Sequence, residues 1–367
     1  PTRCTHRRQR QMCIRDSYRT VNQGEIAMPI CVVRSEENDL IDAEGNRYLD
    51  FSSGSGVTNA GWRPTEVFDA VRKQLEKLPY CAPWFPTEEA IALSDLVLSH
   101  TPARLTRCAR ATGGADANET RCRASFALNG KPGVITLSRA YHGGSRLAAN
   151  LSDAFAFRLP VIPIDGDIVR APAPHCIRCP LGLNRSDCGV ACAEEVDRLL
   201  GEHSDVGLYM AEPVLGSGGV IVPPEGYLPR VREISRKRDV VFALDEVMTG
   251  FGRAGWMTLS EAWALDPDAI SLGKGMGGGT LPIGAAILSD ELSTALGRFE
   301  DVSPTFAWTP LACAAAKANI ELILREDLPV RARQTGDRLL NDTRALFTTH
   351  LPERTAEVRG IGMMVGI

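Results

Sequence analysis

The feature that most constrains this chain is a recurring unit: a short apolar run, a residue capable of chemistry just past it, then a helix-like segment. Runs at 134–137, 206–210, 240–244 and 269–272 are closely followed by Tyr141, Glu212, Asp245 and Lys274. Strand-like and helix-like segments in alternation predict an α/β fold with a mostly parallel central sheet and helices on both faces. Ligands of such sheets bind outside the carboxyl ends of the strands, so the four side chains are expected to converge on one crevice.

The flanking segments are scaffold. Phe68, Val71, Leu75 and Leu78, behind Pro64 and Thr65, predict a helix that buries that face. Thr87 before Glu88 and Glu89 predicts the N-cap of a second helix ending ahead of Pro102. After Pro310 the pattern is helical over 311–325 and 328–350, and the apolar run at 359–367 reads as one strand stopping mid-sheet. The expected organisation is a non-native tail at 1–17, the N-terminal part of a small domain at 18–64, and a large domain at 65–310. A linking helix and the start of a C-terminal small domain then fill 311–367.

A length of 367 residues suits two domains. With 44% hydrophobic and 23% charged residues and a net charge of -4, nothing points to nucleic acid, and no apolar run reaches the ~18 residues of a membrane span. A soluble enzyme is expected. Eleven scattered cysteines, an odd number, argue against a disulfide scaffold and fit a reducing cytoplasm. Cys176, Cys179, Cys188 and Cys192 cluster in a Pro-rich stretch. The first pair has metal-ligand spacing, but the second is CxxxC, so reduced thiols in an ordered loop are the preferred reading over a metal or iron–sulfur site. The basic first seventeen residues resemble a translated sequencing adapter and are set aside, with a nucleic-acid-binding arm the lesser reading.

Lys274 is followed by four glycines in 275–279, which let backbone approach a flat ligand. Partial burial would favour the neutral amine that carbonyl chemistry needs, although a Gly-rich turn with a surface lysine is the plain alternative. Asp245, after an apolar strand, is costly to bury without a cation. A pyridinium nitrogen would be such a partner, and pairing with an arginine such as Arg253 the structural alternative. The run TGGADANE at 112–119 offers a Gly-Gly step into a helix, where backbone N–H groups and the dipole favour phosphate. Tyr141-His142-Gly143-Gly144 offers an aromatic face for ring stacking, and a core tyrosine in a turn is the alternative.

The motifs TGGADANE, YHGGS, AEPVLGSGG, LDEVMTGFGRAG, SLGKGMGGGTLPIGA and TFAWTPLACAAA, in that order, resemble the class III (ornithine/4-aminobutyrate type) aminotransferases of fold type I. The likeness runs from about Gly45 to the end. It implies pyridoxal 5'-phosphate bound as a Schiff base by Lys274, which also acts as the base, with Asp245 on the ring nitrogen. It further implies Gly114 and Ala115 on the phosphate, Tyr141 and His142 at the ring, Met248 near the ring hydroxyl and Glu212 as a gate for substrate carboxylates. Thr305 would reach the phosphate of a neighbouring subunit, which implies a homodimer with shared sites. Implied substrates are a small-molecule amino donor, an amino acid or ω-amine, and a 2-oxo acid acceptor.

Departures accompany the likeness. Ala115 stands where Ser or Thr is usual, Met248 where Gln is frequent, Trp62-Arg63 where His follows Gly61, and Ala307-Trp308-Thr309 where Ser-Gly-Asn is usual. The ending resembles a family chain cut before the rest of its small domain, including an arginine that often grips the substrate carboxylate. Racemase, decarboxylase, aminomutase or phospholyase chemistry on the same cofactor stays open beside transamination. So do an inactive homologue and a metal- or cluster-bearing interface protein.

Overall fold

The computed structural model describes residues 30–154, 167–298, 303–353 and 357–367. The expected tail at 1–17 and residues 18–29 of the expected small-domain segment lie outside them. Helices of seven residues or more are numbered here. β1 (Val32–Glu36), β2 (Asp39–Asp42) and β3 (Arg47–Leu49) form an antiparallel meander. α1 (Thr65–Lys77) and α2 (Glu88–Leu98) follow, the second capped where expected by Thr87, whose Oγ1 accepts the Ala90 N–H at 3.3 Å. Next come β4 (Leu105–Ala111), α3 (Gly114–Asn129), β5 (Gly133–Leu137), β6 (Ile168–Ala171), α4 (Ala191–Glu202), β7 (Val206–Ala211) and α5 (Tyr227–Lys237). The chain continues through β8 (Val241–Asp245), β9 (Ala269–Leu272), β10 (Gly284–Ser289), α6 (Asp290–Leu296), α7 (Pro310–Arg325), α8 (Leu328–His350), β11 (Arg359–Ile361) and β12 (Met364–Gly366).

Seven strands make one sheet in the order β4-β10-β9-β8-β7-β5-β6. Strands β9, β8, β7, β5 and β6 pair in parallel, while β10 runs antiparallel to both neighbours. The five central runs, β5 and β7 to β10, are buried along their whole length, as a sheet covered on both faces requires. Because all parallel strands end on one edge, Tyr141, Glu212, Asp245 and Lys274 emerge there together. No helix among the described residues is long and apolar enough to cross a membrane.

Two expectations are corrected. The buried residues of α1 are Val67 and Gln74, not Leu75, which is exposed. The apolar spacing misled because Gln74 can be buried at small cost: its Nε2 donates to the Leu78 carbonyl at 2.9 Å. The apolar run at 359–367 is not one strand. Gly362, at φ 54°, turns it into the antiparallel hairpin β11–β12.

Candidate active site

Asp245 is the last residue of β8 and is 3% exposed. Its Oδ2 accepts from His142 Nδ1 and from Asn118 Nδ2, each at 2.7 Å, and its Oδ1 accepts the Val247 N–H at 3.0 Å. Burial opposes the charge, yet the hydrogen bond and field of His142, the Arg121 guanidinium and the Val247 amide together hold the carboxyl below its usual pKa. Asn118 is itself fixed: its Nδ2 also donates to the His142 carbonyl at 2.7 Å, and its Oδ1 accepts from Arg121. Arg121, fully enclosed on α3, also donates to the Leu244 carbonyl at 2.7 Å. A buried anion is thus locked in one orientation with one lone pair of Oδ1 uncommitted.

Lys274 follows β9 in the left-handed region, at φ 42°. Its Nζ lies 4.0 Å from Met248 Sδ. Burial lowers its pKa, Asp245 and Glu212 pull the other way, and Arg253 adds to the lowering. A lysine so placed is a better nucleophile than a surface one. Glu212, just past β7, accepts the Tyr141 N–H on Oε1 and the Gly216 N–H on Oε2, both at 2.9 Å. Burial pushes its carboxyl up to about 7 despite those donors and His142, with Asp245 adding to the rise.

Because its folded pKa is raised, Glu212 contributes stability that is complete below the ordinary carboxylate pKa and is lost as pH rises through about 7. Glu212→Gln mimics the neutral form. In cofactor-free protein its melting temperature relative to wild type should therefore climb between about pH 5 and pH 8, by an amount equivalent to roughly 3 kcal/mol at most. Parallel melting profiles for the two proteins across that range would contradict the assignment.

At the other end of the crevice α3 begins at Gly114 with Gly113 as N-cap and no side-chain cap, leaving its first N–H groups for a ligand. The cradle is shaped by glycines. A Cβ on Gly114 would come 2.7 Å from Val247 Cγ1 and one on Gly143 2.5 Å from Ala115 Cβ, whereas one on Gly113 meets nothing within 4 Å. Gly113 therefore borders open space, and its neighbours are packed to hold it.

Of the expected residues, Lys274, Asp245, Glu212, Tyr141 and Met248 come together, and Gly114 and Ala115 stand at the helix start beside them. His142 does not line the crevice. Its ring is wholly enclosed behind Asp245, with Nε2 3.1 Å from Thr136 Oγ1, so both ring nitrogens are already engaged. Thr305 lies exposed on the turn before α7, outside this hydrogen-bonded group. Asn118 and Arg121 were missed. The available signal was their i, i+3 spacing just past the Gly-Gly step, which points both toward one side of α3. Arg253, the alternative partner for Asp245, donates instead to Asn59 Oδ1 at 2.5 Å. Cys176, Cys179, Cys188 and Cys192 are free thiols away from this crevice.

The residues present suit a flat, doubly charged cofactor: an uncapped helix start for an anion, a locked carboxylate with a free lone pair for a cationic ring nitrogen, and a half-buried amine near that carboxylate. With the seven-stranded sheet, this defines the class as fold-type-I pyridoxal-phosphate transaminases, and solved structures agree. An (S)-enantioselective omega-transaminase from Thermomicrobium roseum superposes with a TM-score of 0.84 at 31% identity, over 92% of this chain and 78% of that one. An amine transaminase from an uncultivated Pseudomonas species, solved in its PLP-bound form, gives 0.84 at 28% identity over 92% and 81%. The family model for class-III aminotransferases matches residues 20–367, and the chain belongs to that family. Acetylornithine aminotransferase of Methanothermobacter thermautotrophicus is 33% identical over 349 residues, 95% of this chain and 83% of that protein. The protein is a pyridoxal-phosphate-dependent aminotransferase.

Proposed function

We propose that the enzyme moves an amino group from an amino acid or ω-amine to a 2-oxo acid, with Lys274, Asp245 and Glu212 as the residues that carry the reaction. The observation behind this reading is the convergence of a half-buried lysine and a buried, locked aspartate on one edge of the sheet. Pyridoxal 5'-phosphate, when bound, supplies an electron sink for the bond broken at the substrate carbon. Lys274 would hold it covalently through Nζ, the same atom that later takes the proton from the substrate α-carbon. Asp245 would use Oδ1 on the ring nitrogen, because Oδ2 is already committed to His142 and Asn118. Gly114 and Ala115 would give backbone N–H groups to the phosphate, with Tyr141 on the ring face and Met248 at its edge. Glu212 would switch charge beside the substrate carboxylate. Thr305, exposed on its own chain, would complete the site of a partner in a homodimer. Free thiols, nine among the described residues, suit a cytoplasmic enzyme.

Incubation with an amino donor alone tests the reaction class. A transaminase should release about one equivalent of oxo product per site and stop until a 2-oxo acid is added. A racemase or lyase would turn over donor without that requirement, and the proposal would fall. The cradle has its own test. Gly143→Ala forces a Cβ against Ala115 at a φ of 129°, and should weaken pyridoxal-phosphate binding at least about ten-fold in equilibrium dialysis. An unchanged Kd would remove the phosphate from this end of the crevice.

A further inference from the structure

The four clustered cysteines take no part in the crevice, and their setting is unlike that of an ordinary surface loop. Of residues 176–190, ten are exposed, and those turned inward are Cys176, Cys179, Leu181, Cys188 and Val190. Such a loop has almost no apolar core to offset its ordering entropy. All four thiols, with His175, instead line one small cleft.

The backbone is shaped for the same end. Cys176-x-x-Cys179-Pro-Leu-Gly182 forms a tight knuckle in which the Gly182 N–H donates to the Cys179 carbonyl at 3.0 Å and Gly182 takes φ 68°. Val190, a β-branched residue, is held at φ 61° as the N-cap of α4, and the Ala191 N–H donates to the Cys188 carbonyl at 2.9 Å, which ties Cys188 to the start of the helix that carries Cys192.

We propose that Cys176, Cys179, Cys188 and Cys192 form a structural tetrathiolate site for a zinc-class divalent ion that fixes the 176–190 loop to the start of α4. The spacing C-x2-C-x8-C-x3-C and an all-sulfur donor set select such an ion over magnesium or calcium. Binding is not a redox step: each S–H gives its proton to solvent as its S–metal bond forms. The sulfurs do not close around one point as they stand: no three of the four lie within 4.8 Å of one another, and Cys188 Sγ is turned toward the Arg185 carbonyl at 3.7 Å. Rotation of more than one of these side chains toward the cleft is the required change. Among the described residues, the one ligand set already within 4.8 Å is Asp167, His203 and Asp205, and it serves as the competing site.

The experiment is zinc content after exhaustive desalting of protein grown with zinc, measured for wild type, Cys179→Ser/Cys188→Ser and His203→Ala. About one zinc per chain is expected in wild type and His203→Ala, with at least about a ten-fold fall in the cysteine variant. Native thiol titration should show four fewer reactive thiols in zinc-loaded wild type than in chelator-treated protein. Zinc that follows His203, zinc-independent thiol counts, or disulfides in the 176–192 peptide would each overturn the proposal. Where the double variant does not fold, cobalt(II) titration of chelator-treated wild type decides: thiolate-to-metal absorption at one equivalent supports the site, and its absence ends it.

Discussion

Lys274→Ala should lower kcat by at least about 10⁴-fold while leaving the protein folded. Two functions would be lost at once, since in the proposed reaction Nζ both holds the cofactor and carries the proton at the substrate carbon. Glu212 cannot replace it, because both its oxygens already accept backbone N–H groups. The fold should tolerate the change. An ammonium whose pKa is lowered by burial is a cost to the folded state, and alanine accepts the same backbone at φ 42° with no greater strain than lysine. The measurement pairs single-turnover rates with peptide mass spectrometry after borohydride reduction. Wild type should carry a cofactor adduct on the peptide containing Lys274, and the variant none. Turnover within about ten-fold of wild type, or an adduct on another lysine, would withdraw the central assignment.

Asp245→Asn should cost about 10³-fold in kcat, with a much smaller loss of cofactor binding. Asparagine can still accept the Val247 N–H but presents no negative charge to a ring nitrogen. It also breaks a network in which His142, Asn118 and Arg121 are arranged around an anion. Removing that anion leaves the enclosed Arg121 without its balancing field, so the variant should also lose stability, by about 3–5 kcal/mol. Denaturation curves must therefore accompany the kinetics. Near-normal kcat in a folded Asp245→Asn enzyme would show that the carboxylate is structural only.

The gathering of the candidate residues was legible because they sit at the ends of buried strands. Tyr141, Glu212, Asp245 and Lys274 each follow an apolar run, and parallel strands deliver such residues to one edge whatever their separation along the chain. The supporting side was not. Asn118 lies 127 positions from Asp245 and meets it only because α3 packs over the sheet. His142 looked like a ring contact in its motif, yet the packing of Thr136 and Asp245 enclosed it. Strand β4 escaped notice because Arg107 and Arg110 interrupt its apolar residues, and an edge strand can send them outward where a central one could not.

The amino-acid sequence by itself therefore determined the alternating architecture, the edge of the sheet where chemistry gathers, and the lysine and aspartate placed there. Those follow from local apolar runs and from the cost of burying a charge without a partner. Tertiary structure alone decided which oxygen of Asp245 stays free, that Glu212 is pushed up to about 7, and that four cysteines surround one cleft. These depend on distances between distant segments and on how completely water is excluded, which no local pattern of residues encodes.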